Sequence, residues 1–216
     1  MFVVIAAAVA LAGCGQSRQD VKEPKHNFKV EVTNASFPGS QRMSEHTHLV
    51  ISVRNADSRP IPNLTVTICN VTCSYPAPAG EGTSVAPFAH PFTMPGVSWT
   101  SRPTWIVDEP PGVCSYGCAQ GGAGADATAD ANSWQRNTPL PPGGTATFDW
   151  AVTAVAPGTY VLAWEIAAGQ YGKAKAVMVG GASPCGGTPC GSFRVTIAHG
   201  PAQSYVNDSG QVVQNQ

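Results

Sequence analysis

Six of the seven cysteines fall in three close couples, Cys69 with Cys73, Cys114 with Cys118 and Cys185 with Cys190. Two chemistries use such spacing. In an oxidising compartment each couple closes a short disulfide loop, adding modest stability because the chain entropy removed from the unfolded state grows with loop length. Where thiols stay reduced, the two C-x3-C couples could supply four thiolates to zinc, although structural zinc more often uses C-x2-C or C-x4-C. Local pairing is the first expectation, with other connectivities open. A second metal chemistry is suggested by Met43, His46 and His48 and by His90 and Met94 in HPFTM, since imidazole with thioether suits extracytoplasmic copper. Against it, His46 and His48 alternate with Thr47 on a solvent-facing side. Nor does the chain contain the close Cys, His and Met succession of a blue-copper loop. Asp126, Asp130 and Asn132 offer oxygens for calcium but lack the D-x-D-x-D alternation and closing glutamate of a calcium loop.

Catalytic signatures are missing: there is no G-x-S-x-G elbow, no H-E-x-x-H and no P-loop, and the acidic residues are spread singly. The expectation is a protein that is not an enzyme and carries no cofactor. Trp99, Trp105 and Trp134 cluster in a loop-rich stretch and form the candidate binding surface, a place where glycan or a protein partner could stack. The competing reading is a small satellite core beneath that stretch. Under the surface reading, Trp105→Ala should cost less stability than Trp150→Ala or Trp164→Ala.

The elements that must position these residues are strands. Lys and Arg number 12 against 13 Asp and Glu, leaving a net charge of −1, so nothing invites nucleic acid. A hydrophobic fraction of 43% supports a real core, and 23 Gly with 19 Pro punctuate short runs rich in Val, Thr and aromatics. In FKVEVT, Phe28, Val30 and Val32 share one face; in HLVISVRN, Leu49, Ile51 and Val53 do; in NLTVTIC, Leu64, Val66 and Ile68 do. Three later strands repeat the pattern with Ala146, Phe148, Trp150 and Val152; with Tyr160, Leu162, Trp164 and Ile166; and with Phe193, Val195 and Ile197. The run Lys173 to Val179 is expected to extend the hairpin before the last of these. Residues 70–139 are rich in proline and lack a sustained period. An element-free loop that long is uncommon, so one or two short strands are expected there, at VSWT and TWIVD.

At the N-terminus the apolar run Phe2 to Gly13 is shorter than the roughly 20 residues of a membrane-spanning helix and fits the core of a secretory signal. Leu11-Ala12-Gly13-Cys14 resembles a bacterial lipobox. That resemblance implies cleavage before Cys14 and acylation of its thiol. No Lys or Arg precedes the run, so the basic start of the signal is expected upstream of Met1. The chain therefore divides into a signal peptide (1–13), a lipidated N-terminus and flexible tether (14–27), a β-sandwich (28–200, with an insertion at 70–139) and a C-terminal tail (201–216).

The phrases LPPGGTATF (140–148) and PGTY (157–160), with VRNADSRPIPNLTVTI before them, resemble bacterial immunoglobulin-like domains of the CARDB-like group. The resemblance implies an all-β, immunoglobulin-like antiparallel sandwich in which Tyr160 is the tyrosine-corner residue, its hydroxyl bonded to backbone just upstream. Leu162 stands two residues later, where antibody domains carry a cysteine, and the cysteine-bearing insertion departs from the group. GQYGKAKAVMV is also similar to envelope proteins of actinobacteria. Together these features predict a non-catalytic interaction module, extracytoplasmic and anchored to the membrane by lipid on Cys14, with an envelope protein or glycan as partner. The alternative is a metal-handling, copper-binding or ligand-delivery lipoprotein using His46, His48, His90 and Met94.

Overall fold

The computed structural model describes residues 23–70, 73, 88–89, 103–111, 125–127, 133–136, 138–169, 173–180, 183–202, 204–206 and 212–214. Cys14, Trp99, Cys114, Cys118, His90 and Met94 lie outside them, as do the signal segment and VSWT. The strands are β1 (His26–Ser36), β2 (Ser40–Met43), β3 (His46–Asn55), β4 (Thr65–Asn70), β5 (Phe88–Ala89), β6 (Trp105–Glu109) and β7 (Ala125–Ala127). They continue with β8 (Ser133–Arg136), β9 (Thr145–Ala154), β10 (Gly158–Ala167), β11 (Ala174–Met178), β12 (Cys190–Pro201), β13 (Ser204–Val206) and β14 (Val212–Gln214).

Two six-stranded sheets face each other, ordered β11-β1-β3-β9-β6-β5 and β2-β12-β10-β4-β8-β7. Within them β1-β3-β9-β6 reproduces the A-B-E-D order of a constant-type immunoglobulin sandwich, and β4-β10-β12 its C-F-G order. The chain is an all-β, immunoglobulin-like sandwich. Alternation places Phe28, Val30, Leu49, Ile51, Val53, Phe148, Trp150 and Val152 inside from the first sheet, all 0% exposed, so the period-2 apolar faces do become the core. From the second sheet Leu64, Val66, Ile68, Leu162, Trp164, Ile166, Val195 and Ile197 answer them.

The corner at the start of β10 forms as expected. Tyr160 Oη donates to the Pro157 carbonyl at 3.0 Å. Gly158 makes room for it, since a Cβ there would lie 3.0 Å from that hydroxyl and its φ of +148° suits only glycine. Leu162 is 1% exposed, so an apolar side chain fills the position of the antibody cysteine. Opposite Trp164 stands Gly191, where a Cβ would meet the indole at 2.5 Å; the ring lies over the bare backbone of its cross-strand neighbour.

Several boundaries shift. Order begins before Phe28: β1 opens at His26, and Glu23, 7% exposed, is held by Asn63, whose Nδ2 donates to Glu23 Oε1 at 2.8 Å. The last residues assigned to the tether thus belong to the sandwich. In the stretch 70–139, TWIVD does supply β6, and β8 joins the other sheet beside β4. This stretch therefore contributes strands to both sheets. The run after Lys173 does not extend a hairpin with β12. It forms β11, which pairs in parallel with β1 in the opposite sheet, from His26↔Ala174 to Val30↔Met178. Buried Ala174 and Ala176 let it close on that edge. Within the C-terminal tail, β13 pairs with β14.

Candidate functional site

Two of the three tryptophans proposed as a surface, Trp105 and Trp134, are interior. Trp105 and Trp134 are each 1% exposed, because both occupy inward positions of their strands rather than a loop. Trp105 packs edge-on against Tyr160 at 5.7 Å and Phe37 at 5.4 Å, and its Nε1 donates to the buried Gln41 Oε1 at 2.8 Å. Trp134 meets Trp150 across the sandwich at 5.3 Å, nearly perpendicular. They join the main core instead of a satellite one. Trp99 alone of the three lies outside the described residues.

His46 and His48 do stand on the outer face of the first sheet, as the alternation required, but each is engaged by a carboxylate. His48 Nδ1 lies 2.8 Å from Asp149 Oδ1. His46 Nδ1 lies 3.2 Å from Asp108 Oδ2 and 2.8 Å from the Thr153 hydroxyl, which itself donates to Asp108 at 2.6 Å. These are exposed pairs, with both imidazoles about two-thirds open to solvent. Such pairs contribute little to stability. Among the described residues no three His, Cys, Asp or Glu side chains converge as a metal would need, and Met43 packs partly buried against the core. The calcium candidates Asp130 and Asn132 lie outside the described residues.

The outer face of the second sheet is the candidate site. Two disulfides frame it: Cys69–Cys73 at the end of β4 and Cys185–Cys190 at the start of β12, the local pairings expected from the sequence. Between those strands runs β10, and its register sets Glu165 opposite Cys190 on one side and Thr67 on the other. Directly opposed side chains on one face of an antiparallel pair lie about 5 Å apart, so the carboxylate sits in a polar strip between the two cross-links. Thr67 continues that strip to β8, its hydroxyl 2.8 Å from that of Ser133. Ala163 on the same face is only 7% exposed. Burial pushes the Glu165 carboxyl above its ordinary value of 4.5. Among the described residues no hydrogen bond or ion pair offsets that desolvation. This arrangement can accept a donor: a cation or an N–H brought to the face would recover the solvation that the carboxylate has lost.

The sequence shows Glu165 as an acid on the outward side of a central strand. Its burial was not visible there, because it depends on what flanks β10. A carboxyl whose folded value is raised weakens the fold once ionised: the penalty is absent below 4.5 and complete above the folded value. Glu165→Gln is therefore expected to raise the melting temperature near neutral pH and to leave it unchanged well below pH 4.5. Equal melts of the two proteins at neutral pH would contradict the burial.

No family model matches the chain, and no curated protein matches it. Solved structures with a related arrangement include the CARDB domain of a Pyrococcus furiosus protein, at 9% identity over 81% of this chain and 93% of that one, with a TM-score of 0.37. Native Escherichia coli alpha-2-macroglobulin aligns at 12% identity over 82% of this chain and 7% of its own, TM-score 0.39. The human F-spondin reeler domain aligns at 10% identity over 81% and 93%, TM-score 0.35. At these values the chain's own strand order and tyrosine corner carry the immunoglobulin-like assignment.

Proposed function

We propose that this chain is a non-catalytic, lipid-anchored protein of the cell envelope, held outside the cell by acyl chains on Cys14 and presenting an immunoglobulin-like interaction module. The observation that carries the interaction is the outer face of the second sheet. A half-buried carboxylate there, flanked by two disulfides on a rigid central strand, is a pre-positioned acceptor whose desolvation has already been met by folding. A partner of the envelope, protein or glycan, would supply the donor. The anchor is supported by Leu11-Ala12-Gly13-Cys14 at the end of the apolar run, and the cross-links suit an oxidising compartment. Sandwiches of this kind serve many purposes, so the site and not the fold carries the reading.

Fractionation tests the anchor. The native chain is expected in the membrane fraction with an acyl mass on Cys14, and Cys14→Ser is expected to be released or left unprocessed, since each buried methylene contributes roughly 0.8 kcal/mol and two chains suffice for stable attachment. A Cys14→Ser protein still carrying lipid would overturn it. Elemental analysis of protein purified without a histidine tag is expected to find no stoichiometric copper or zinc. A stoichiometric metal would replace this reading with metal handling through His46, His48, His90 and Met94.

A further inference from the structure

Five lysines occur in the chain, at positions 22, 25, 29, 173 and 175. The fold gathers the four described ones at one corner. Lys25 directly precedes β1; the His26 amide donates to the Lys173 carbonyl at 3.1 Å, and the Ala56 amide to the Lys29 carbonyl at 3.0 Å. Lys175 pairs with Asn27 across the β1–β11 ladder. Arg59 adds a fifth exposed cation from the turn between β3 and β4. Two carboxylates of this corner are turned inward: Glu23 is 7% exposed, and the Asp57 side chain, 8% exposed, accepts from the Lys29 and Arg59 amides and contacts the His26 ring, while the half-exposed Glu31 is paired with Arg54 at 3.1 Å. Toward the other end of the first sheet the sign reverses, with Glu45, Asp108 and Glu109.

The chain enters the sandwich at this same corner. Glu23 is locked there by Asn63 and closes on Gly169, where a Cβ would stand 2.5 Å from its carboxylate. From Cys14 to Glu23 the backbone can span about 30 Å at most, even fully extended. An acyl chain on Cys14 would therefore hold the lysine corner nearer the bilayer than any other part of the sandwich.

We propose that this corner is a membrane-contact surface: Lys25, Lys29, Arg59, Lys173 and Lys175 lie against anionic phospholipid headgroups, turning the acidic end of the sandwich away from the bilayer. The proposal rests on the acylation of Cys14 argued above. Basic residues respond to an anionic leaflet only within about a Debye length, roughly 8 to 10 Å in physiological salt; an entry segment of at most about 30 Å lets the corner reach that range, and attraction to the headgroups would hold it there.

Lysine footprinting of the full-length acylated protein tests it. The protein is recovered from membranes and reconstituted into vesicles of phosphatidylcholine alone or of phosphatidylcholine with phosphatidylglycerol, then acetylated and mapped by mass spectrometry. Lys25, Lys173 and Lys175 are expected to react about five-fold more slowly on the anionic vesicles, the difference vanishing at high salt as screened contacts do. Carbodiimide labelling of Glu45 and Asp108 is expected to be the same on both. Equal lysine rates on the two vesicles, with acyl mass present on Cys14, would overturn the contact surface and leave the anchor standing. A protein without acyl mass would overturn the anchor and this orientation with it.

Discussion

Replacing Trp105 by alanine is expected to destabilise the domain by about 3–5 kcal/mol, as much as the same change at Trp150 or Trp164. That is a large share of the roughly 5–15 kcal/mol that holds a domain together, so the variant should melt far below the parent. Trp105 is 1% exposed, wedged between Tyr160 and Phe37, and its indole N–H crosses the sandwich to Gln41, itself 2% exposed. Removing the ring leaves a cavity and strands the Gln41 carbonyl oxygen, a penalty of about 1–3 kcal/mol for the second effect alone. The phenylalanine variants separate the two contributions. Trp150 Nε1 is buried without a partner among the described residues, so Trp150→Phe removes an unpaired donor, whereas Trp105→Phe breaks a bond and orphans its acceptor. Denaturant melts should therefore show Trp105→Phe as the more damaging of the pair. A Trp105→Ala protein within about 1 kcal/mol of the parent would return that ring to the surface.

Trp105 also shows where sequence reasoning stops. Phe148, Trp150 and Val152 advertise their strand because three or more apolar residues alternate on one side, and the Leu49 and Leu64 strands are legible for the same reason. In Trp105-Ile106-Val107 only Trp105 and Val107 face inward, and Ile106 on the other side is equally apolar, so the residues themselves do not say which side is buried. Only the pairing of β6 with β9 decides it. The disulfides were legible because their partners are four and five residues apart. The companions of the histidines were not: His48 meets Asp149 from 101 residues away, through the β3–β9 register. Likewise β11 carries readable alternation, yet its choice of β1 over β12 depends on which sheet edge is open. The acceptor at Glu165 was visible as a charge, while its desolvation belongs to the assembled face.

Asn55→Ala is expected to cost on the order of 3 kcal/mol, although the residue lies in a turn that reads from sequence as a simple connection. Asn55 is 0% exposed and ends β3. Its Nδ2 donates to the carbonyls of Arg59 at 2.9 Å and Leu140 at 2.8 Å, and its Oδ1 accepts from the Asp57 amide at 2.9 Å. Its backbone is bound as well, to Gly144 and Gly143 on the approach to β9. One side chain thus closes the β3–β4 turn on itself and ties it to the segment that begins β9, beside the Ile61–Leu140 bridge. Leu140 keeps a second donor, the Ile61 amide, so its carbonyl is not left empty. The Arg59 carbonyl and Asp57 amide lose their partner, at about 1–3 kcal/mol each where water cannot replace it. The turn also positions Asp57. Burial raises that carboxyl, but the Lys29 and Arg59 amides and the His26 ring outweigh it and hold the group below its ordinary 3.8. A depressed carboxyl stabilises the fold above 3.8, and that contribution is lost as pH falls through the folded value. If the Asn55 knot holds the turn in place, Asn55→Ala should lose stability at neutral pH and also flatten its acid dependence below pH 3.8, because Asp57 then loses the amides that depress it. Melts of parent and variant across that range check both. An unchanged acid slope with lowered neutral stability would confine Asn55 to its own bonds and remove its hold on Asp57.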